Sequence, residues 1–321
     1  MHCRCKRCSV AEVLPGQYVG RFAPSPTGEL HIGSLLTAVA SYLDARSLGG
    51  KWILRIEDLD PPREVPGASL RIIRTLERYG FCWDGDVVWQ HQRHDTYADG
   101  LDFLRKNGFA YPCGCSRKRV REAGLQGVDG WRYPGFCRNL AVAAEGQLAW
   151  RLKVDDQAVA YVDRLQGVQS QNLAEELGDF VLLRADGCWA YQLAVVLDDA
   201  AAGISHVVRG SDLLDSTPRQ IYLQRILGLP TPQYMHLPVL VNAAGEKLSK
   251  QTLAPALQEG LESEMLGFVL KCLGQELPSF FPEMSLAELW EWAISNWTVS
   301  KIPQCKAISV EYAPKSGYKI L

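Results

Sequence analysis

Residues 21–34 read Arg21-Phe22-Ala23-Pro24-Ser25-Pro26-Thr27-Gly28-Glu29-Leu30-His31-Ile32-Gly33-Ser34. The residues at 18–22 predict a short strand, and apolar residues at helical spacing from Ile32 predict a helix that begins near His31. A helix N-terminus presents unpaired backbone N–H groups and the positive end of the helix dipole, which favour a phosphate, and Gly28 and Gly33 allow a ligand to approach closely. The turn therefore predicts a phosphate site faced by His31. For these residues taken alone, an ordinary loop with a solvated histidine is the alternative.

The order of residues in this turn distinguishes the two interpretations. PSPTG followed by HIG resembles the first signature of class I aminoacyl-tRNA synthetases, specifically the glutamate group. The resemblance implies that His31 and Gly33 contact ATP and that Arg21 and Ser25 contact glutamate. Ser34 departs from the general signature, which ends in histidine, although small residues are usual there in the glutamate branch.

Composition predicts a globular protein without a membrane span. The 321 residues are 47% hydrophobic and 22% charged, and no run of about 18 apolar residues is present. The formal net charge of -2 means that a nucleic-acid partner would have to meet a local basic face. The ten cysteines are unevenly spaced and follow no secretory signal, which predicts reduced thiols or metal ligands in a cytoplasmic protein.

The first 17 residues carry a short tract rich in cysteine and basic residues, with His2, Cys3, Cys5 and Cys8. Such a tract can bind a metal, but it is too short to form a core. We interpret residues 1–17 as a disordered N-terminal extension, or as the product of an upstream start codon, and assign it no function.

A second group of polar residues follows a predicted strand at residues 52–56, where Glu57, Asp58 and Asp60 stand at the strand's carboxyl end. Ligands of open α/β sheets bind at that edge. Taken alone, these carboxylates are typical of a solvated turn or of helix caps. The run RIEDLDPPR, however, resembles the second block of the same family, which implies that Glu57 binds the amino group of the substrate.

Further periodic segments predict the rest of a Rossmann-like core. Helical patterns span residues 68–79 and 96–106, and strand, helix and strand in succession predict a doubly wound parallel sheet. Strands are also predicted at residues 149–154 and 180–184, with a turn at 185–188, so that an insertion would close on a hairpin.

Three cysteines fall within this insertion, Cys113, Cys115 and Cys137. Thiolates favour tetrahedral zinc, but a Cys-x-Cys pair with one later cysteine leaves zinc and free thiols about equally favoured on composition. The segment resembles the zinc-bearing insertion of glutamyl-queuosine tRNA synthetases, whose ligand pattern falls on Cys113, Cys115, Tyr133 and Cys137. The resemblance implies one structural zinc ion.

The densest basic region of the chain surrounds these cysteines. It is either a solvated face or a set of phosphate contacts for RNA, which would position a nucleic acid without reading its sequence. Its members are Arg117, Lys118, Arg119, Arg121, Arg132 and Arg138.

Two later segments complete the predicted amino-acid site. A strand at residues 203–210 carries Arg209 near its end, where a planar guanidinium suits a bidentate grip on a carboxylate. Arg21 and Arg209 form a plausible pair for the two carboxylates of glutamate, although a surface salt bridge is the commoner fate of such an arginine. By resemblance, the Tyr-Gln-Leu-Ala match places Tyr191 against the amino acid; a packed core tyrosine is compatible with this role.

Residues 247–251 read Lys-Leu-Ser-Lys-Gln and resemble the class I KMSKS loop, with Lys250 at its second lysine. A lysine on a mobile loop would stabilise the charge of the ATP phosphates in the transition state. About seventy residues follow, with helical patterns at 261–273 and 286–297 and an irregular tail to which we assign no role. A discriminating glutamyl-tRNA synthetase has a large helical anticodon-binding region here, for which this chain lacks the length.

These observations predict an α/β protein with a Rossmann-like doubly wound parallel sheet, an inserted zinc-bearing α+β subdomain and a short helical C-terminal region. The predicted division is an extension at 1–17, a catalytic domain at 18–112 and 190–235, the insertion at 113–189, and the KMSKS-like loop with the C-terminal region at 236–321.

The resemblance implies a monomeric ligase that uses ATP with magnesium, L-glutamate and queuosine-containing tRNA(Asp), transferring glutamate to the queuosine of the anticodon. Its catalytic residues would be His31 and Lys250. Two alternatives are a truncated glutamyl-tRNA synthetase that charges the 3′ end of tRNA(Glu) and a non-catalytic RNA-binding paralogue. The short C-terminus is evidence against the first, and the joint presence of His31, Glu57, Arg209 and Lys250 is evidence against the second.

Overall fold

The computed structural model describes residues 16–128, 130–139, 147–248, 255–313 and 317–321. The predicted N-terminal extension therefore lies outside the described residues, apart from its last two positions. Lys250 and most of the KMSKS-like run also lie outside them.

The chain begins with alternating strands and helices. The elements are β1 (Val19–Phe22), α1 (Ile32–Arg46), β2 (Lys51–Ile56), α2 (Ala68–Arg78), β3 (Val88–Trp89) and α3 (His94–Lys106). α2 and α3 bury one apolar face each, whereas α1 is buried on nearly all sides, and the central strand buries Trp52, Leu54 and Ile56.

The next part of the chain contains short strands and two short helices. These are β4 (Ala110–Cys113), α4 (Arg117–Glu122), β5 (Gln126–Gly127), β6 (Gly130–Trp131), β7 (Ala149–Leu152), β8 (Ala158–Asp163), β9 (Gly167–Asn172), α5 (Leu173–Glu176) and β10 (Phe180–Leu183). β7 pairs in antiparallel fashion with both β4 and β10, and β5 with β6 forms a small hairpin. The predicted turn at residues 185–188 is present, because Arg184 N–H donates to Cys188 O at 2.9 Å.

The chain then returns to the parallel sheet and ends in a mixed region. The remaining elements are α6 (Tyr191–Ala201), β11 (His206–Gly210), α7 (Thr217–Leu227), β12 (Gln233–Leu237), β13 (Val239–Val241), α8 (Glu262–Cys272), α9 (Leu286–Asn296), β14 (Ala307–Ala313) and β15 (Gly317–Ile320). The two predicted C-terminal helices are thus α8 and α9.

The prediction of an α/β fold with a parallel sheet is confirmed. β1, β2 and β3 are parallel, as are β11, β12 and β8. The two groups meet where Ser205 N–H, just before β11, donates to Val19 O at 3.0 Å. The hairpin of β8 and β9 thus extends the edge of the parallel sheet, although residues 158–172 lie inside the range predicted for the insertion.

Helices cover both faces of this sheet. One apolar core joins the sheet to α1, α8 and α9 through residues such as Trp52, Leu266 and Trp290. The other joins it to α3, α6 and α7 through Tyr97, Leu193 and Leu223. Both faces of the parallel strands are therefore buried, and their carboxyl ends are left as the open edge.

The prediction of an irregular tail after residue 300 is wrong. β14 pairs with β13 in parallel and with β15 in antiparallel fashion, so the last described residues complete a three-stranded sheet. Alternation in Ile308, Val310 and Tyr312 was the available signal, but the strand is mostly exposed and pairs with a segment about seventy residues earlier.

None of the helices that the structure describes is both long and apolar enough to cross a bilayer.

Candidate active site

The predicted phosphate turn lies at the start of α1. His31 is the N-cap residue, and its Nδ1 accepts a hydrogen bond from Gly33 N–H at 3.1 Å. A Cβ at Gly33 would lie 3.1 Å from His31 Cε1, so a larger residue would press on the imidazole. Gly28 has φ +140°, a conformation that favours glycine. The sequence therefore builds a helix N-terminus with small residues around one histidine.

The two flanks of the KMSKS-like run lie against this turn. Leu248 N–H donates to Leu240 O at 2.8 Å, and Leu248 O lies 3.6 Å from where a Gly33 Cβ would stand. Beyond the undescribed residues 249–254, Leu257 N–H donates to Leu30 O at 3.1 Å. Leu248 and Leu257, on either side of the undescribed residues, are thus both held near the helix N-terminus.

A cleft of about 980 Å³ opens at the carboxyl ends of the parallel strands. Three predicted glutamate-binding residues line it: Ser25, Glu57 and Tyr191. Glu57 directly follows β2, and its N–H donates to Pro24 O at 3.0 Å, which joins the two signature blocks. Tyr191 is the first residue of α6.

Arg21 and Arg209 are both buried, with 4% exposure each. Arg209 Nη1 donates to Tyr191 OH at 3.3 Å. Arg21 Nε donates to Asp199 Oδ1 at 3.3 Å. Neither arginine is among the residues that line the cleft: Arg209 reaches it through Tyr191, and Arg21 is held behind it by Asp199.

Asp199 joins Arg21 to a second buried arginine. Arg55 Nη1 donates to Asp199 Oδ1 at 2.7 Å, and Arg55 Nη2 donates to Glu57 Oε1 at 3.2 Å. Burial raises the pKa of Glu57 in spite of the opposing effect of Arg55 and Arg21. A further cation beside it would therefore stabilise the ionised carboxylate. A substrate ammonium group would provide that cation.

A second buried chain of contacts fixes Arg209. Its Nε donates to His236 Nε2 at 3.0 Å, and its Nη2 donates to Thr217 Oγ1 at 2.8 Å. His236 Nδ1 lies 2.6 Å from Asp163 Oδ2. Burial lowers the pKa of His236 to about 4, so the ring is neutral at pH 7, donating from Nδ1 to Asp163 and accepting at Nε2 from Arg209.

The predicted metal ligands also converge. The Sγ atoms of Cys113, Cys115 and Cys137 lie within 4.8 Å of one another, and Tyr133 OH is 3.3 Å from Cys113 Sγ. Arg151 Nε donates to Cys113 Sγ at 3.3 Å. Burial opposes ionisation of Cys113, but hydrogen bonds from Tyr133 and the Cys115 backbone, together with the Arg151 guanidinium, hold its pKa below the usual range. This donor set could hold a metal ion.

The chain matches the family model of class I tRNA synthetases (E and Q), catalytic domain, over residues 17–264. It is 56% identical over 290 residues to a glutamyl-Q tRNA(Asp) synthetase of Neisseria meningitidis serogroup C, covering 89% of this chain and 98% of that one. The chain belongs to the glutamyl-Q tRNA(Asp) synthetase family. A relative of the same name from Chromobacterium violaceum is also 56% identical, over 89% of this chain and 95% of that one.

The fold agrees with this family. A glutamate-tRNA synthetase from Elizabethkingia anophelis superposes with a TM-score of 0.75 at 26% identity, covering 91% of this chain and 68% of that one. The resemblance inferred from the signature blocks is therefore confirmed.

The sequence did not indicate the buried residues that support Arg21 and Arg209. These are Asp199 and His236, which contact the two arginines, and Arg55 and Asp163, which contact Asp199 and His236. Two acidic residues within the apolar run Val-Val-Leu-Asp-Asp-Ala-Ala at 195–201 were a signal for buried partners. The sequence predicts no helix at these residues, whereas the structure has α6 there, with Asp199 in it.

The structure divides the basic cluster into two groups. Arg138 Nη1 donates to Asp179 Oδ1 at 3.0 Å, and Arg132 Nη1 donates to Ala174 O at 3.0 Å, so both stabilise the insertion itself. The four cations of α4 are exposed: Arg117, Lys118, Arg119 and Arg121.

Proposed function

We propose that this protein activates L-glutamate with ATP in the absence of tRNA and transfers it to queuosine in the anticodon of tRNA(Asp), forming glutamyl-queuosine. The observation that carries the proposal is that Glu57 and Tyr191 line the cleft at the sheet edge, with the buried Arg209 hydrogen-bonded to Tyr191 and the buried Arg21 close enough to Glu57 to affect its pKa. High identity to relatives named glutamyl-Q tRNA(Asp) synthetase supports the choice of acceptor.

In the first step, a carboxylate oxygen of glutamate attacks the α-phosphorus of ATP and the bond to pyrophosphate breaks. Oriented cations and backbone N–H groups suffice for this reaction, since charge stabilisation and positioning supply most of the rate. We assign the α1 N-terminus, His31, Gly33 and Lys250 to the nucleotide. Magnesium would accompany ATP, since it retains water and phosphate ligands and needs few protein ligands.

Arg21, Ser25, Glu57, Tyr191 and Arg209 hold glutamate in this proposal. In the second step, a hydroxyl oxygen of the queuosine cyclopentenediol attacks the carbonyl carbon of the adenylate. The new C–O ester bond forms, the bond to AMP breaks, and the hydroxyl proton is released. No protein side chain is required as a nucleophile.

We further propose that the cysteine cluster holds one structural zinc ion. Ligand sulfurs at about 2.3 Å from a tetrahedral ion lie about 3.8 Å apart. Cys115 Sγ and Cys137 Sγ are 3.5 Å apart, and Tyr133 OH lies 3.7 Å from Cys115 Sγ, so three sulfurs and one oxygen fit such a site. Zinc would order an insertion whose own apolar cluster is small.

Two measurements, pyrophosphate exchange and the labelling of tRNA with glutamate, separate the main proposal from its alternatives. We expect glutamate-dependent exchange of pyrophosphate into ATP without tRNA, and labelled glutamate on queuosine-containing but not on queuosine-lacking tRNA(Asp). His31→Ala should lower exchange at least about tenfold, since it removes one oriented polar group, worth about 1.4 kcal/mol or more, from the proposed ATP site.

The contrary outcomes of these measurements have different meanings. No exchange would favour a non-catalytic RNA-binding protein, and equal labelling of both tRNAs would point to the 3′ end. Normal adenylate formation by His31→Ala would remove His31 from the nucleotide site while leaving the rest of the proposal intact.

Zinc occupancy is tested by Cys137→Ser. Because the change removes one of four proposed ligands, we expect zinc affinity to fall by more than about 100-fold, the upper end of losses seen for residues that only support a ligand. The measurement is metal content by mass spectrometry after dialysis. Cys188→Ser, in a turn outside the cluster, is the matched control and should retain zinc. Unchanged zinc in Cys137→Ser would exclude this ligand set.

A further inference from the structure

Trp131 is an exposed aromatic residue at the active-site cleft. Its side chain is 47% exposed on β6, and it lines the same cleft as Glu57 and Tyr191. The cleft therefore runs from the proposed glutamate site to the face of the cysteine-bearing insertion. An indole left half in solvent at such a place is available to a ligand.

The hairpin that carries Trp131 is firmly attached to the insertion. Val128 N–H donates to Glu176 O at 3.1 Å, and Tyr133 N–H donates to Leu177 O at 3.1 Å. At Gly127 a Cβ would lie 2.5 Å from Glu176 O, so the hairpin sits against α5 at a distance that only glycine permits. Trp131 is thus held two residues from Tyr133, a proposed metal ligand.

Positive charge lines the same cleft as the indole. Arg117 lines the same cleft and is exposed on α4. Within the described part of the chain, its guanidinium forms no ion pair. Arg184, another arginine that lines the cleft, instead pairs with Asp60 at 3.2 Å and also with Asp186.

We propose that Trp131 is the platform on which the base of the acceptor nucleotide stacks, with Arg117 contacting the adjacent RNA phosphate. RNA loops are recognised through unstacked bases laid on aromatic side chains, and cations beside them contact the backbone. The pairing of an exposed indole with an exposed cation complements a base and its phosphate. This inference rests on the proposed function and adds the residues that would receive the RNA.

The experiment compares the two half-reactions in Trp131→Ala. The expected result is an increase of at least about tenfold in the KM for queuosine-containing tRNA(Asp), in line with the loss of one base stack. Glutamate-dependent pyrophosphate exchange, which needs no RNA, should stay within about twofold of the wild type. Trp131→Phe should restore most of the transfer, because a phenyl ring still stacks.

Controls make the result specific to this site. Phe280→Ala removes another exposed aromatic ring, 57% exposed, from the C-terminal region and should leave both half-reactions unchanged. Wild-type KM for tRNA in Trp131→Ala would overturn the inference, and so would loss of pyrophosphate exchange in parallel with transfer. Absence of exchange in the wild-type protein would instead mean that the proposed function fails.

Discussion

Replacing Asp199 with alanine is expected to lower the free energy of unfolding by about 3–5 kcal/mol, the usual effect of removing one partner from a buried ion pair. The Asp199 carboxylate accepts hydrogen bonds from Arg55 at 2.7 Å and from Arg21 at 3.3 Å, with only 8% of its side chain exposed. The variant would leave two buried guanidinium groups near each other. Arg55 retains Glu57 at 3.2 Å, so the greater loss falls on Arg21.

Urea denaturation at pH 7 measures this effect. Asp102→Ala, which removes an exposed carboxylate paired with Lys106 on α3, is the control and should unfold almost as the wild type does. If Asp199→Ala unfolds at the wild-type urea concentration, Asp199 does not stabilise the arginines as described.

The pH dependence provides a second measurement on Asp199. Burial opposes its ionisation, but Arg21 and Arg55 hold its pKa below the ordinary value. A carboxyl group with a lowered pKa in the folded state adds stability above its unfolded pKa, about 3.9, and loses it as the pH falls through the lowered value. The stability of Asp199→Ala should therefore fall less steeply than that of the wild type in this acid range.

Much of the site was predictable because its residues stand in short, ordered blocks at strand ends. The turn at residues 21–34 lies between a strand and a helix, as its sequence indicates, and Glu57 follows β2. Local pattern determines which residues follow the carboxyl end of a parallel strand, and the carboxyl ends of neighbouring parallel strands meet at one edge of the sheet. Local pattern therefore sufficed to place His31, Glu57 and Arg209 at the ends of their elements, whereas their roles are implied by the family resemblance.

The supporting residues were not predictable in the same way. Asp163, in the β8–β9 hairpin, lies 73 positions before its partner His236. Asp199 lies 178 positions after Arg21. Pairing over such distances depends on how strands and helices pack, and periodicity carries no information about it. The β13–β14 pair was missed for the same reason.

Replacing Arg209 with lysine is expected to lower kcat/KM for glutamate by at least about 100-fold in pyrophosphate exchange, equivalent to about 2.7 kcal/mol. The guanidinium simultaneously contacts Tyr191, His236 and Thr217, at 3.3, 3.0 and 2.8 Å. A single ammonium group cannot reproduce this fork. Hydrogen bonds to a charged group are worth about 1.5–3 kcal/mol each, so the loss of two accounts for the expected effect.

The KM for ATP distinguishes a local effect from a general one. It should stay near the wild-type value in Arg209→Lys, because we assign the nucleotide to the α1 N-terminus rather than to β11. Arg225→Lys makes the same substitution at an exposed position in the last turn of α7 and should be silent. His236→Asn should also lower kcat/KM for glutamate, but by a smaller factor, since Arg209 keeps its contacts with Tyr191 and Thr217. Wild-type glutamate kinetics in Arg209→Lys would show that Arg209 supports the pocket without binding the substrate.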